Sequence, residues 1–304
     1  MVISERLVPA SPGAHTSVVV MTMTRDRAEG LAHMLNKLAD LSPNTPVIVV
    51  DNGSSDETAQ LVLDEFPRVS LVRLRENAGA PARNVGVQRA QTPYVAFSDD
   101  DSWWAQGALD EAARRFEDHP RLGLLAARTL VGPDEHPDPL TTLTRDSPMG
   151  RATDLPGPTV RGFLACSAVV RRSAFLHVGG FNDLLFFMGE ETMLAYDLMA
   201  AGWGVAYVEE VTAHHHPAPS RGPSSQRLAM EERNSVLTAW MRRPVKVALQ
   251  ATTAKLAASA VTRHPSRGAL PQALRRLPSA LRQRSVLPEA VEAQVRLVES
   301  GDRP

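Results

Sequence analysis

Along the first half of the chain, runs of β-branched residues alternate with stretches in which leucines recur every three or four positions. "TSVVVMT" (16–22) predicts a buried strand, and Leu31, Met34, Leu35, Leu38 and Leu41 follow at helical spacing. "PVIVV" (46–50) predicts a second strand. Ser54 and Glu57 then form a capping box that opens a helix running through Phe66. "VSLVRLR" (69–75), a helix near 80–91, "YVAFS" (94–98) and a helix near 107–118 complete the series. Strands alternating with helices predict an α/β protein with a mostly parallel sheet covered on both faces.

The second half is less regular. A Pro- and Asp-rich stretch at 133–158 reads as a loop or lid, "TVRGFLACSAVVRR" as a strand, "GGFNDLLFFMGEE" as a turn and loop, and "ETMLAYDLMAAG" as a helix ended by Gly202. "WGVAYVEE" predicts another strand, followed by a loop through "HHHPAPSRGPSS" and a helix near 226–241. The expected organisation is a loose arm at 1–15, a catalytic domain at 16–240 and a helical extension at 241–304.

An apolar fraction of 43% in 304 residues suffices for a sizeable core, and a net charge of −1 gives no general reason to expect nucleic acid as a partner. The lone Cys166, in "GFLACSAVV", is expected to be a buried, inert thiol. The N-terminal residues do not resemble a signal peptide, and no window reaches the roughly 20 apolar residues of a membrane span, so a cytoplasmic setting is expected. Charge is uneven: residues 241–284 hold ten Lys or Arg and no Asp or Glu. Such a basic amphipathic segment suits either a peripheral contact with an anionic membrane or helices packed on the catalytic domain, a homo-oligomer contact included.

In parallel sheets ligands bind beyond the carboxyl ends of the strands, and here those ends carry Thr22, Asp51 and Asp99. In "YVAFSDDDSWW" extended backbone would turn Asp99 and Asp101 to one side and Asp100 to the other. Two carboxylates on one side suit a hard divalent cation, Mg²⁺ or Mn²⁺, and so a diphosphate substrate; a solvated, helix-capping loop is the alternative. In "VIVVDNGSSDET", Asp51 and Asn52 offer acceptors and a donor to a nucleobase edge, or else a capped turn.

Taken in order, "SVVVMTMTRDR", "VIVVDNGSSDET", "RENAGAPARNVGVQRAQTPYVAFSDDDSWW" and "GGFNDLLFFMGEETMLAYDLMAAGW" resemble the motif series of family 2 glycosyltransferases with the GT-A fold, over residues 16–217. The resemblance implies an inverting, metal-dependent enzyme that moves a sugar from a nucleotide-diphosphate donor, a UDP- or dTDP-sugar ahead of a GDP-sugar, to an acceptor hydroxyl. Thr22, Asp51, Asn52, Arg83, Asn84, Asp99 and Asp100 match nucleotide-sugar positions. Asp99 and Asp101 match the metal-holding DxD-type motif. Glu190 and Glu191 match the family's acidic pair, whose second member resembles a general base. Two departures stand out: "VMTMTRDR" lacks the Pro and Tyr often found near Thr22, and Glu191 replaces an Asp. The pair differ by about 100° around a helix, so one of them faces the acceptor.

The resemblance also implies a histidine near the metal, with His214 and His216 as the metal-ligand candidates in "VTAHHHPAPSR" beside His215. Trp103 and Trp104 would either stack on a sugar or pack beneath the next helix. A sugar-phosphate nucleotidyltransferase would need a Gly- and Arg-rich loop after the first strand, and "TMTRDRAEG" is not one; a non-catalytic nucleotide-sugar-binding homologue is a further alternative.

Overall fold

A computed structural model describes residues 1–9, 18–217, 225–261 and 268–301. The strands are β1 (Val2–Arg6), β2 (Val18–Thr24), β3 (Val47–Asp51), β4 (Ser70–Leu74), β5 (Tyr94–Ser98), β6 (Ser102–Trp104), β7 (Leu122–Val131), β8 (His136–Pro137), β9 (Ala168–Arg171) and β10 (Gly204–His215). Between them lie α1 (Ala28–Leu41), α2 (Thr58–Glu65), α3 (Ala82–Arg89), α4 (Ala108–Asp118), α5 (Pro139–Arg145), α6 (Arg172–His177) and α7 (Glu190–Ala200). The helices α8 (Ser225–Arg242), α9 (Val245–Val261), α10 (Ala269–Arg282) and α11 (Glu289–Gly301) follow.

One ten-stranded sheet runs in the order β1-β4-β3-β2-β5-β9-β7-β10-β6, with β8 beside β7. Strands β2 to β5 are mutually parallel, whereas β9 is antiparallel to both its neighbours. From β2 the chain steps outward to β3 and β4, then returns to place β5 on the other side of β2. That reversal opens a crevice at the carboxyl ends of β2 and β5, where open α/β sheets bind ligands.

Alternation along the strands fills two cores. Val18 and Val20 of β2 join one cluster with Leu31, Met34, Leu35 and Leu38 of α1, while Val19 and Met21 join the opposite one with Val87, Phe175 and Leu194. Each such fully buried side chain contributes about 1.5–3 kcal/mol.

Several expectations need correction. Residues 2–6 of the supposed loose arm form β1, antiparallel to β4, while 10–15 lie outside the described residues. The strand is held by Arg6, whose guanidinium donates to the carbonyls of Val62, Leu63, Phe66 and Val69, closing the otherwise orphaned C-terminus of α2. The capping box does not form: α2 begins at Thr58, and Ser54 Oγ instead accepts from the Asp26 amide. β2 continues past Thr22 to Thr24. The strand expected over 159–172 is reduced to β9, and the 133–158 loop contains β8 and α5. β10 runs five residues beyond "WGVAYVEE", through His215.

The domain boundary expected at 240 falls inside α8. Arg242 is paired with Asp197 of α7; Arg243 Nε meets Glu292 at 2.6 Å and Nη1 meets Glu299 at 2.7 Å, both on α11. Arg276 donates to the Leu184 carbonyl, Arg284 to those of Trp240 and Arg243, and Lys255 pairs with Glu232. Half of the ten basic residues are therefore tied to the protein itself. No helix among the described residues is long and apolar enough to cross a membrane.

Candidate active site

The acidic triplet lies on a turn rather than on extended backbone: the Ser102 amide donates to the Asp99 carbonyl, and the Asp99 amide to Ser102 Oγ. Each carboxylate consequently has a different set of partners. Asp99 accepts from Arg83 Nη2 at 2.5 Å. Asp100 lies 3.3 Å from Arg27 Nε and accepts from Thr24 Oγ1 at 3.1 Å. Asp101 lies 3.6 Å from His215 Nε2 and 4.0 Å from Arg27 Nη2. Asp99 is the most open of the three, its side chain 27% exposed against 7% and 6% for the others. Asp100, expected among the nucleotide-sugar residues, is a buried tie between β2 and the turn.

Other expected nucleotide contacts are also turned inward. Thr22 is fully buried with its hydroxyl toward Met34 Sδ, so Thr24 replaces it at the strand end. Asp51 accepts from the Ser54 amide at 2.9 Å and from Arg73 Nε at 3.2 Å. Asn52 accepts from the Ala78 amide and donates to Asn77 Oδ1 and the Gly79 carbonyl, shaping the loop that enters α3. Asn84 exchanges two hydrogen bonds with the Phe181 backbone, clamping the Gly179–Gly180 turn. Gly79 has a positive φ of 68°, and a Cβ there would lie 2.1 Å from the Phe186 carbonyl. That contact brings the donor-side loop against the loop before the acid pair.

Arg83 joins the two halves. Burial draws its pKa down, but the carboxylates of Asp99, Glu190 and Glu191 outweigh this and hold the guanidinium above its ordinary range. Glu190 is 2% exposed, and burial with the neighbouring Glu191 pushes it up to about 8 against the opposing pull of Arg83. Glu191, half-buried, is raised by burial too, against its own backbone amide, Arg83 and the Ala165 amide. Adjacent acids so placed hold one negative charge more readily than two.

Of the three histidines, the middle one faces the acidic turn. His214 Nδ1 lies 3.1 Å from Glu135, and His216 packs on Trp103 at 4.6 Å between ring centroids. Neither of these expected ligands reaches Asp101 by its side chain as His215 does, although the His216 amide donates to the Asp101 carbonyl. The two expected ligands thus face Glu135 and Trp103 while the residue between them faces Asp101, since β10 is still extended there and turns alternate side chains apart. Burial, His214, His33 and His215 together lower the His216 pKa. Trp103 and Trp104 are both buried, which excludes sugar stacking in this conformation. Cys166 is buried, and burial with the nearby Asp99 and Asp101 raises its thiol well above the usual range, as an inert thiol requires.

Arg27, Thr24 and Asn77 adjoin the candidate site and were missed by pattern reading. Arg27 had a signal, since "TRDR" offers cations just past a strand end that faces an acidic turn.

A glycosyl-transferring protein of GT-A architecture is what this arrangement of crevice, acidic turn and opposed acid pair describes. Over residues 17–179 the chain matches the model of glycosyl transferase family 2, and it belongs to that family. It is 29% identical over 273 residues to the N-acetylglucosaminyl-diphospho-decaprenol L-rhamnosyltransferase of Mycobacterium tuberculosis, covering 73% of this chain and 86% of that protein. It is 31% identical over 216 residues to the pre-mycofactocin glycosyltransferase of the same organism, covering 68% of this chain and 44% of the relative's length. Among solved structures, Staphylococcus aureus TarS 1–349 in complex with UDP-GlcNAc has a TM-score of 0.60 at 17% identity, covering 94% of this chain and 88% of that one. The mannosyltransferase of Pyrobaculum calidifontis with GDP-Man and Mn²⁺ has a TM-score of 0.58 at 18% identity, covering 97% and 89%. The chain is accordingly a glycosyltransferase with a GT-A fold.

Proposed function

We propose that the chain transfers a sugar from a nucleotide-diphosphate donor to an acceptor hydroxyl in one displacement with inversion, with Glu191 as the base. The observation that carries this reading is the row Asp99, Arg83, Glu190/Glu191, which spans the crevice from strand edge to helix start. Glu190, buried and held protonated at neutral pH, leaves the half-buried Glu191 as the acid that can reach an acceptor and take its proton. Arg83 lies close enough to both acids to favour an ionised carboxylate there. A UDP- or dTDP-sugar remains the favoured donor, and the name of the mycobacterial rhamnosyltransferase supports a lipid-diphosphate-linked sugar as acceptor.

Among the described residues no group of three or more His, Cys, Asp or Glu side chains forms a metal cluster. The donor set still fits Mg²⁺ or Mn²⁺ shared with a substrate diphosphate, because such ions take oxygen ligands and draw several from phosphate and water. Asp99 and Asp101 would hold it, with His215 beside them. When bound, the cation supplies charge neutralisation for the leaving diphosphate. Asp100 and Arg27 keep the turn in place, and Arg83 keeps Asp99 oriented.

The test is nucleotide release from UDP-, dTDP- and GDP-sugars, with and without Mn²⁺, across a panel of acceptors. Acceptor-stimulated release with an inverted anomeric product is the expected result; a retained anomer refutes the single displacement.

A further inference from the structure

A cavity lies beside the first turn of α7, lined by Thr192 but by neither of the two acids. It has a volume of about 550 Å³ and is walled by α5, the Arg161–Gly162 segment, Thr192 and the end of α11. Small-molecule sites occupy roughly 300–1,000 Å³. Thr192 directly follows Glu191, and a Cβ at Gly162 would stand 3.7 Å from Thr192 Oγ1. Three residues beyond Gly162, the Ala165 backbone amide reaches Glu191. The 162–165 segment and the first turn of α7 thus connect the cavity to Glu191.

Its chemistry is apolar wall plus hydroxyl. Leu143, 63% exposed, and Val298 offer apolar surface, while Thr142 and Thr192 contribute hydroxyls. The charged groups of the wall are already answered. Asp146 is paired with Arg145, and Arg161 is hydrogen-bonded to Tyr196 beside Glu299. A wall whose charged groups already have partners within the protein disfavours an ionic guest, which would lose hydration and gain little counter-charge. Sugars present hydroxyls on their edges and CH groups on a face, and so match this lining.

We propose that this cavity is the acceptor subsite, that it takes a neutral hydroxylated sugar ring, and that α11 of the C-terminal extension forms one of its walls. The proposal rests on the reading of Glu191 as the base. α11 is fixed for that role by Arg243, which holds Glu292 and Glu299 two turns apart on it.

Gly162→Leu and Val298→Phe both fill the cavity; Leu176→Phe, on the exposed face of α6, is the size-matched control. The probes are neutral p-nitrophenyl glycosides and their 6-phosphorylated counterparts. In the cavity-filling variants the acceptor KM is expected to rise by about tenfold or more. The donor Kd, from calorimetry, should stay within twofold and the control should match the wild type. Saturation-transfer NMR of the same glycosides on the Glu191→Gln protein reads the subsite without turnover. It should show the neutral glycosides bound, and their saturation signal should vanish when Gly162→Leu is added to Glu191→Gln. Unchanged acceptor affinity in both cavity variants, no glycoside binding by NMR, or preference for the phosphorylated probes overturns the proposal. Wild-type transfer rates in Glu191→Gln would instead overturn the base assignment alone.

Discussion

Arg83 and Asp99 meet at 2.5 Å, nitrogen to oxygen, with the arginine side chain 2% exposed and the aspartate open to the crevice. Nε and Nη1 of Arg83 make no hydrogen bond among the described residues. A guanidinium is held inside the protein in this state only by the carboxylates around it. Removing it leaves Asp99, Glu190 and Glu191 without their shared counter-charge. Arg83→Met should lower stability by about 3–5 kcal/mol, the usual consequence of breaking a buried ion pair from one side. Urea unfolding measures it, and a loss below about 1 kcal/mol, the range of exposed pairs, would show that the pair is solvated in solution.

Glu191→Gln keeps volume and removes basicity, so transfer should fall by about 10² to 10⁴. Donor Kd should barely move. Glu190→Gln copies the neutral form of an acid already protonated at pH 7 and should cost much less. Initial rates of both variants decide the assignment: if only Glu190→Gln is inactive, the roles are exchanged.

The same Glu190 sets a stability profile. Its folded pKa of about 8 stands above the ordinary 4.5, so the folded state keeps a proton that the unfolded chain releases. Stability should decline as pH rises from about 4.5 to about 8, and Glu190→Gln should flatten that slope. Tm of the variant should exceed that of the wild type at pH 8 and approach it near pH 4. A parallel profile in the two proteins contradicts the burial of Glu190 as an ionisable group.

Removal of divalent metal should abolish donor turnover without unfolding the protein, and Asp101→Ala should do the same. Circular dichroism with and without chelator, beside a nucleotide-release assay, separates the effects. Full activity after exhaustive chelation rules out the cation at Asp99 and Asp101.

Arg243→Met should destabilise the chain by up to about 3–5 kcal/mol, because buried Glu292 would keep only the largely exposed Arg296 as a partner and Glu299 would lose its arginine. Liposome co-sedimentation with anionic lipid distinguishes a membrane role for the extension from this packing role. Packing predicts that binding stays weak while truncation at 241 melts the fold.

The α/β class, the parallel strands and the position of the acid pair at a helix start were legible because period-2 and period-3.6 patterns report burial directly. The acidic turn was legible as a site but not in shape. Extended geometry would pair Asp99 with Asp101, whereas Ser102 closes a turn that gives the three acids different partners. β1 was hidden because "VISER" has little apolar pattern and is secured by one arginine reaching four distant carbonyls. Thr22 and Asn84 matched motif positions, yet only tertiary contacts reveal that their side chains face Met34 and Phe181. The basic run left a membrane contact and packed helices both open, since its partners Asp197, Glu292 and Glu299 lie far away in sequence.

The loop before the acid pair contains Phe186 and Met188 at φ of 67° and 73°, a conformation that side-chain-bearing residues resist. It is held by Asn234 of α8, whose amide donates to the carbonyls of Leu185, Phe187 and Met188, with Arg233 adding a further bond to Leu185. The family match ends at residue 179, before this loop, the acids and their tether. Substitutions on α8 can thus reshape this loop from behind while every motif residue stays the same. A graft of residues 17–179 alone would carry over Arg83 and the acidic turn but leave behind the loop, the acid pair and the helix that holds them.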